Sequence, residues 1–509
     1  MKYKNKMIKA EEAMKLLKDN DFLAIGGSGW GVNEPSYLLK SLGEYYQKHM
    51  SPQNLTLFHC TGLGDLEEIG TDYLAYEGLV KRDIAGHWGM APKMAKLAMD
   101  EKIEAYNLPQ GVMSQMCAAV AANKPGVITK VGLRTFIDPR LEGGRMNKTA
   151  REQIIQVINL NGEEWLFYPK HNFDVCFIRG TTADLDGNIS MEEEAAILEN
   201  MSMAQATKNS GGKVIVQAKY LADRGEIKAK EVNIPGIYVD YIVLDPNQKQ
   251  TVESYYNPVL SGRFKTPFKT LPSLPLDMKK VVVRRAAKEI FEGAVINLGY
   301  GIGSGVANIA AEEGMIDDIT FTVEQGLIGG MPDSGRQFGT SYNPVAMIDQ
   351  TSQFNFYDGG GLDLTFLGMA EVDQYGNVNS SKTGKMLAGC GGFINISQNA
   401  KKIVFCANFT AKGLSIDIIN GKLNIKEEGK IKKFVSKVKQ ITFSGPYSIE
   451  LKKEVLFVTE RAVFNLSDKG LELIEIAPGI DLKKDVLNHM EFKPIISNNI
   501  KVMDENIFK

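Results

Sequence analysis

The sequence predicts an α/β protein built from two related, open α/β halves that arose by duplication. One local pattern occurs twice. Near the start, Ala10–Lys18 has helical apolar spacing and Phe22–Ile25 reads as a short buried strand; a loop with Gly26, Gly27, Gly29 and Gly31 follows, and Pro35–Tyr46 is again helical. The order of helix, strand, glycine loop and helix returns at Val283–Phe291, Ala294–Leu298, Gly299–Gly305 and Val306–Glu313. A second pair of landmarks keeps a fixed spacing. Ala183-Asp-Leu-Asp-Gly-Asn-Ile189 resembles Val372-Asp-Gln-Tyr-Gly-Asn-Val378, and Lys213-Val-Ile-Val216 resembles Lys402-Ile-Val-Phe405, both 189 positions apart. Short β-rich runs alternate with helical patterns elsewhere, which favours mainly parallel sheets flanked by helices.

The two glycine loops lie about 273 positions apart, so the first half carries some 84 extra residues between its landmarks, and an insertion is expected there. Between the halves, Asp245–Asp277 holds Pro246, Pro258, Pro267, Pro272 and Pro275 among polar residues without a sustained period, a linker signature. The expected organisation is an N-terminal domain over 1–244, a linker over 245–277 and a C-terminal domain over 278–509. Ile441–Phe443, Glu454–Thr459, Ala462–Leu466 and Leu471–Ile476 alternate with no helical pattern between them and read as an antiparallel extension.

Composition bounds the function. The chain has 509 residues, 44% of them hydrophobic and 24% charged, the proportions of a globular protein long enough for two or three domains that need no disulfide or metal staple. With 59 basic and 61 acidic residues its formal charge is −2, which gives no long-range field to recruit nucleic acid or an anionic membrane. A small-molecule partner is expected. The first twenty residues are charged throughout, unlike a secretory signal, and no stretch approaches the ~20 apolar residues of a membrane span. Five widely spaced cysteines fit free thiols in a reducing compartment, so a cytoplasmic location is expected. The five histidines form no ligand-spaced pattern, and no metal is expected.

Four segments carry the candidate chemistry. The apolar run Ile319–Val323 ends on Glu324, with Gly326, Gly329 and Gly330 directly after it, so a carboxylate stands at a strand end beside backbone that a ligand approaches closely. Read alone, Glu324 serves equally as a solvated loop residue. In Gly389-Cys-Gly-Gly-Phe393, backbone N–H groups unshielded by side chains suit a developing oxyanion, although a tight turn needs the same glycines. Cys390 has no histidine near it in sequence to make a thiolate, and a small buried thiol is its commoner role. Gly299, Gly301, Gly303 and Gly305 follow a strand and open a helix, a context suited to phosphate, but the third glycine of a dinucleotide fingerprint is missing. Gln110, between Pro109 and Gly111, has no catalytic signature of its own.

Taken together and in order, the glycine loop Gly26–Gly31, Leu108-Pro-Gln-Gly111, the linker, Asn297-Leu-Gly-Tyr-Gly-Ile-Gly303, Glu324-Gln-Gly with Gly329 and Gly330, and Gly389-Cys-Gly-Gly-Phe393 resemble the family I coenzyme A transferases, in particular the single-chain acetate/propionate group. Only the pairing of E-x-G with G-x-G-G-F is specific. Gln325 departs from the small residue or asparagine of several relatives. The resemblance implies two halves with a fold like that of ribose-5-phosphate isomerase. It also implies ping-pong exchange of coenzyme A between a short-chain acyl-CoA and a free carboxylate through a glutamyl-CoA thioester. Glu324 is then the nucleophile, and Gly391 and Gly392 are the oxyanion donors. Gln110 binds the substrate carboxylate or carbonyl, and Gly299, Gly301, Gly303 and Gly389 face coenzyme A. The expected partners are an acyl-CoA and small carboxylic acids, with coenzyme A as substrate and no permanently bound cofactor, in a homo-oligomer that is a tetramer by analogy. Open alternatives are an acyl-CoA hydrolase on the same scaffold, a nicotinamide-dependent oxidoreductase and a non-catalytic metabolite-binding protein.

Overall fold

The computed structural model describes residues 6–267, 273–384 and 386–509; Pro272 of the expected linker and Lys385 lie outside the described residues. In the first half, the apolar segment Phe22–Ile25 sits in the middle of a sheet. The strand order is Tyr241–Leu244, Lys213–Ala222, Val175–Asp184, Phe22–Ile25, Leu55–His59, Val80–Ala85 and Glu104–Asn107, and all neighbouring pairs are parallel. Parallel strands are covered by helices on both faces and read as continuous apolar runs; Leu23, Ala24, Ile25, Leu57 and Phe58 are accordingly fully buried. The second sheet has five parallel strands in the order Thr320–Val323, Val295–Leu298, Leu364–Gly368, Lys402–Cys406 and Glu454–Val458.

The duplication is visible in this order. Tyr241–Leu244, Lys213–Ala222, Val175–Asp184, Phe22–Ile25 and Leu55–His59 correspond strand for strand to the five parallel strands of the second half, read from Glu454–Val458 inward. The two Asp-x-x-Gly-Asn turns also fold alike. Asp184 Oδ1 accepts the amides of Asp186 and Asn188, and Asn188 Nδ2 donates back to Asp184 Oδ2; Asp373, Tyr375 and Asn377 repeat all three bonds. Each Asn then accepts the amide of a distant glycine, Gly236 in the first half and Gly445 in the second.

The longer first half adds the strands Val80–Ala85 and Glu104–Asn107 and a three-stranded antiparallel sheet of Gly126–Thr129, Glu163–Pro169 and Gln156–Leu160. The proline-rich segment is docked to both halves. Gln248 Nε2 donates to the Gly180 carbonyl, Gln250 Nε2 donates to the Glu193 carbonyl, Leu260 is buried against Val32 and Leu198, and Asn343 holds Thr266. The C-terminal expectation needs correcting. Helix Gly445–Glu450 lies between Ile441–Phe443 and Glu454–Val458; the former makes only a bridge from Phe443 to Val378, and the latter runs parallel to Lys402–Cys406 on one edge and antiparallel to Ala462–Ser467 on the other. Antiparallel pairing runs from Glu454–Val458 through Ala462–Ser467 to Gly470–Ile476, after which Ile495–Val502 adds in parallel.

Helix Gln110–Ala121 of the first half packs on Gln350–Asp358 and Phe393–Asn399 of the second. Across this junction Gln115 donates to Asp358 and the Gly111 amide to Asn395 Oδ1, and Leu387, Cys390 and Ile394 complete the first half's core. All five cysteines are buried and free, and among the described residues no helix is long and apolar enough to cross a membrane.

Burial beside Cys60 pushes the Glu199 carboxyl up to about 7. The fold holds this proton where the unfolded chain releases it, so the group's contribution to stability falls as pH rises from about 4.5 to about 7 and is constant above that. Glu199→Gln is expected to gain on the parent protein across this window, by up to about 3 kcal/mol at pH 8. Urea midpoints of both proteins at pH 5 and pH 8 check this; a difference independent of pH contradicts it.

Candidate active site

Strand Thr320–Val323 reverses at once into Leu327–Ile328, leaving Glu324, Gln325 and Gly326 as a three-residue hairpin loop. Gly326 is required there: its φ is +103°, and a Cβ would stand 2.0 Å from the Ile348 carbonyl oxygen. The reversal turns Glu324 inward, with 7% of its surface exposed. Burial raises its pKa above the ordinary carboxylate value, opposed by hydrogen bonds that include Asn297 Nδ2 to Glu324 Oε2 at 3.4 Å. Tyr357 donates to Thr322 Oγ1 at 2.8 Å beside Asn297, and Gln325 Nε2 reaches across to Ser28 Oγ of the first half at 3.2 Å.

The opposite wall comes from strand ends of the first sheet. Val80–Ala85 leads into Gly86-His-Trp-Gly89, and Glu104–Asn107 leads through Leu-Pro into the helix that opens on Gln110. Buried Asn107 joins this wall to the second half. Its Nδ2 donates to the Ala85 and Gly86 carbonyls, both at 2.7 Å, and its Oδ1 accepts the Cys390 amide at 2.8 Å. The Gly391 amide donates to the Gly86 carbonyl at 2.8 Å, the Trp88 amide to the Ala388 carbonyl at 2.6 Å, and the Gln110 amide to the Gly391 carbonyl at 2.9 Å. The segment around His87 is thereby laced to the glycine-rich loop of the other half.

Between the walls lies a cleft of about 390 Å³, a size that suits a small-molecule site. Glu324, Gln110, Gly299, Gly389, Gly391 and Gly392 all line it. Gly301 and Gly303 are not among its lining residues. Gly303 packs where a Cβ would stand 2.8 Å from the Phe366 carbonyl, seating the loop on strand Leu364–Gly368, and Gly301 takes a φ of +106° to make the turn. Gly391 departs from the expected donor role, because its N–H is already given to Gly86. Its missing side chain instead keeps space open: a Cβ there would stand 3.6 Å from Gln110 Oε1 and 3.9 Å from His87 Cδ2. The Gly392 amide has no acceptor among the described residues. Gln110 Nε2 donates to Gln350 Oε1 at 3.1 Å. Cys390 lines the cleft, but burial pushes its thiol far above its ordinary value, so no thiolate forms there.

The sequence reading missed His87, Asn107 as a clamp, and Gln350. His87 carried a usable signal: it lies just past the end of strand Val80–Ala85, between Gly86 and the nearby Gly89. Asn107 and Gln350 gave none, since their partners lie far away in the chain.

The coenzyme A transferase family profile matches residues 7–245. Over 503 residues the chain is 44% identical to acetate CoA-transferase YdiF of Escherichia coli K12, covering 99% of this chain and 95% of that protein. It is 46% identical over 514 residues to caffeate CoA-transferase of Acetobacterium woodii, covering 99% and 97%. The crystal structure of the acyl-CoA transferase YdiF apoenzyme from Escherichia coli O157:H7 matches with a TM-score of 0.96 at 43% identity, over 100% of this chain and 97% of that one. The thioester complex of that enzyme with CoA gives 0.95 at 43% identity, over 99% and 96%. The chain belongs to the coenzyme A transferase family and is a CoA-transferase. That membership sets aside the oxidoreductase and non-catalytic readings.

Proposed function

We propose that this CoA-transferase exchanges coenzyme A between a short-chain acyl-CoA and a free carboxylate through a thioester on Glu324. The observation that carries the reading is the position of this one carboxylate, recessed at a strand end in the cleft between the halves. A Glu324 oxygen attacks the thioester carbonyl, the C–S bond breaks, and a mixed acyl-glutamyl anhydride and CoA thiolate result. The thiolate attacks the glutamyl carbonyl, the anhydride C–O bond breaks, and the first acid leaves as its carboxylate. The acceptor carboxylate reverses both steps. No proton moves, so no general base is called for. Recession of Glu324 supports the reading further, because water would hydrolyse both intermediates.

The partners are an acyl-CoA and a small carboxylic acid, with coenzyme A a substrate rather than a resident cofactor. The two relatives are named for acetate, a two-carbon acid, and caffeate, a much larger aromatic acid, so likeness alone does not choose the acid. Of the first half's lining residues, we assign Ser28, Trp30, Thr61, Leu66 and Met90 to the acyl group. Rates with acetate, propionate, butyrate and an aromatic acid against one donor test the short-chain assignment, which fails if the aromatic acid is preferred.

The central experiment uses donor acyl-CoA alone. After digestion, the peptide bearing Glu324 is expected to carry coenzyme A, and hydroxylamine is expected to convert the same site to a hydroxamate. Turnover without either product rules the thioester out.

Since the nucleophile is the ionised form, activity falls as pH drops through the raised Glu324 pKa. The acid limb of kcat/KM is therefore expected above the ordinary glutamate value of about 4.3. Removing the Asn297 hydrogen bond raises that pKa further. Asn297→Ala is expected to shift the limb upward and to cost more rate at pH 6 than at pH 8; an unmoved limb contradicts the assignment.

A further inference from the structure

An oxyanion forms at each tetrahedral stage of this exchange, and the cleft has no lysine or arginine among its described lining residues to meet it. Neutral donors must carry the charge, and most of those nearby are already engaged. The amides of Gly389, Cys390 and Gly391 donate to the Ser381 carbonyl, Asn107 Oδ1 and the Gly86 carbonyl. The hydroxyl of Thr61 goes to the Gly27 carbonyl at 2.6 Å, and that of Ser380 to the Gly368 carbonyl at 3.2 Å. Gln110 gives Nε2 to Gln350. On the side where His87 faces the glycine-rich loop, the Gly392 amide and the imidazole of His87 have no protein acceptor among the described residues, and Gln110 keeps its second Nε2 hydrogen.

The orientation of His87 is set. Its Nδ1 accepts the Gly89 amide at 3.0 Å, which places the ring proton on Nε2, and Nε2 has no protein acceptor among the described residues. The ring is enclosed by glycines: a Cβ would stand 2.9 Å from Nδ1 at Gly62, 2.3 Å from Cε1 at Gly89 and 3.9 Å from Cδ2 at Gly391. Main-chain bonds on either side, Gly391 to Gly86 and Trp88 to Ala388, pin the segment to the loop that carries the Gly392 amide. Behind it, Trp88 Nε1 donates to Asp83 Oδ2 at 2.7 Å, and Asp83 Oδ1 lies 3.2 Å from His59 Nε2.

We propose that His87 is a catalytic residue that donates Nε2–H to the substrate oxygen becoming anionic in each acyl-transfer step, beside the Gly392 amide and across the gap that Gly391 leaves open. The assignment rests on the Glu324 thioester reading. Burial, and secondarily His59, lower the His87 pKa to about 4, so the ring stays a neutral donor at working pH. A neutral donor also leaves the Glu324 carboxylate free to attack, where a cation would pair with it.

The test measures the single-turnover rate of coenzyme A loading onto Glu324. His87→Phe keeps a ring and removes the donor; His87→Gln replaces Nε2–H with an amide N–H at similar reach. His87→Phe is expected to lower the rate about 10²–10³-fold, the usual loss for one oxyanion donor, with KM for acyl-CoA little changed. His87→Gln is expected to stay within about tenfold of the parent, on the same scale of effect. A His87→Phe protein that keeps more than a tenth of the rate overturns the proposal, and so does a His87→Gln protein as slow as His87→Phe. Should His87→Phe not fold, His87→Asn replaces it: its shorter side chain places the amide at the Nδ1 position, so it is expected to be slow where His87→Gln is fast, and equal rates overturn the proposal. Failure of the thioester reading is separately visible, as a parent enzyme that turns over without loading Glu324.

Discussion

Glu324→Gln is expected to abolish coenzyme A exchange, with a loss of at least about 10⁴-fold, the scale seen when the covalent nucleophile of an enzyme is removed. The amide is nearly isosteric, so the cleft and its acyl-CoA affinity should persist. It does not attack a thioester to give an anhydride, and it leaves no carboxyl to carry sulfur. Stability should hold or rise, because burial disfavours the charged form of Glu324 and the amide has no charge to desolvate. Label exchange between acyl-CoA and free acid, alongside thermal unfolding, reads both effects. Exchange above a hundredth of the parent rate in a folded variant would move the nucleophile elsewhere. Glu324→Asp is expected to fail by about 10²-fold or more, since one methylene fewer withdraws the oxygen by roughly 1 Å from the thioester carbon.

Asn107→Leu is expected to be the most damaging change that touches no reacting atom. The asparagine makes three buried hydrogen bonds that join the ends of two first-half strands to the Cys390 amide of the second half. Leucine fills the volume and satisfies none of them, leaving the Cys390 amide without a partner, while the Ala85 carbonyl keeps only the Leu108 amide at 3.3 Å and the Gly86 carbonyl only that of Gly391. At about 1–3 kcal/mol for the buried amide left unsatisfied and about 1 kcal/mol for each of the other two bonds, a loss of roughly 4 kcal/mol is expected. Activity should fall about 10²-fold or more in molecules that remain folded, because the Gly392 amide and His87 are placed by the same lacing and a 1 Å error is costly. Denaturant midpoints and single-turnover loading rates separate the two losses. A variant of parental stability would show that the Gly391 and Trp88 bonds hold the junction alone.

How much of this was legible without coordinates depended on the range of the interaction. Phe22–Ile25 and Val295–Leu298 were readable because a parallel strand buried on both faces writes a continuous apolar run. The Asp-x-x-Gly-Asn turns were readable because all their hydrogen bonds but one close within five residues. Glu324 was readable as a carboxylate at a strand end among glycines, although sequence alone left it equally a solvated loop residue. Glu454–Val458 pairs antiparallel with Ala462–Ser467 as its pattern suggests, but its other edge runs parallel to Lys402–Cys406, which the pattern does not reveal because it is the same beside either kind of neighbour.

The order of residues by itself determined the duplicated α/β plan, the strand-end carboxylate and the glycines that let backbone approach it, since these follow from periodicity, turn chemistry and the absence of a Cβ. Tertiary structure alone decided which donors face the cleft. Gly391 looks as available as Gly392 in the sequence, yet its amide goes to Gly86, about 300 positions earlier, while His87 keeps a free N–H because Gly89 holds the other side of its ring. The physical reason is that a buried hydrogen-bond donor is defined by its acceptor, and across this cleft the acceptor belongs to the other half of the chain.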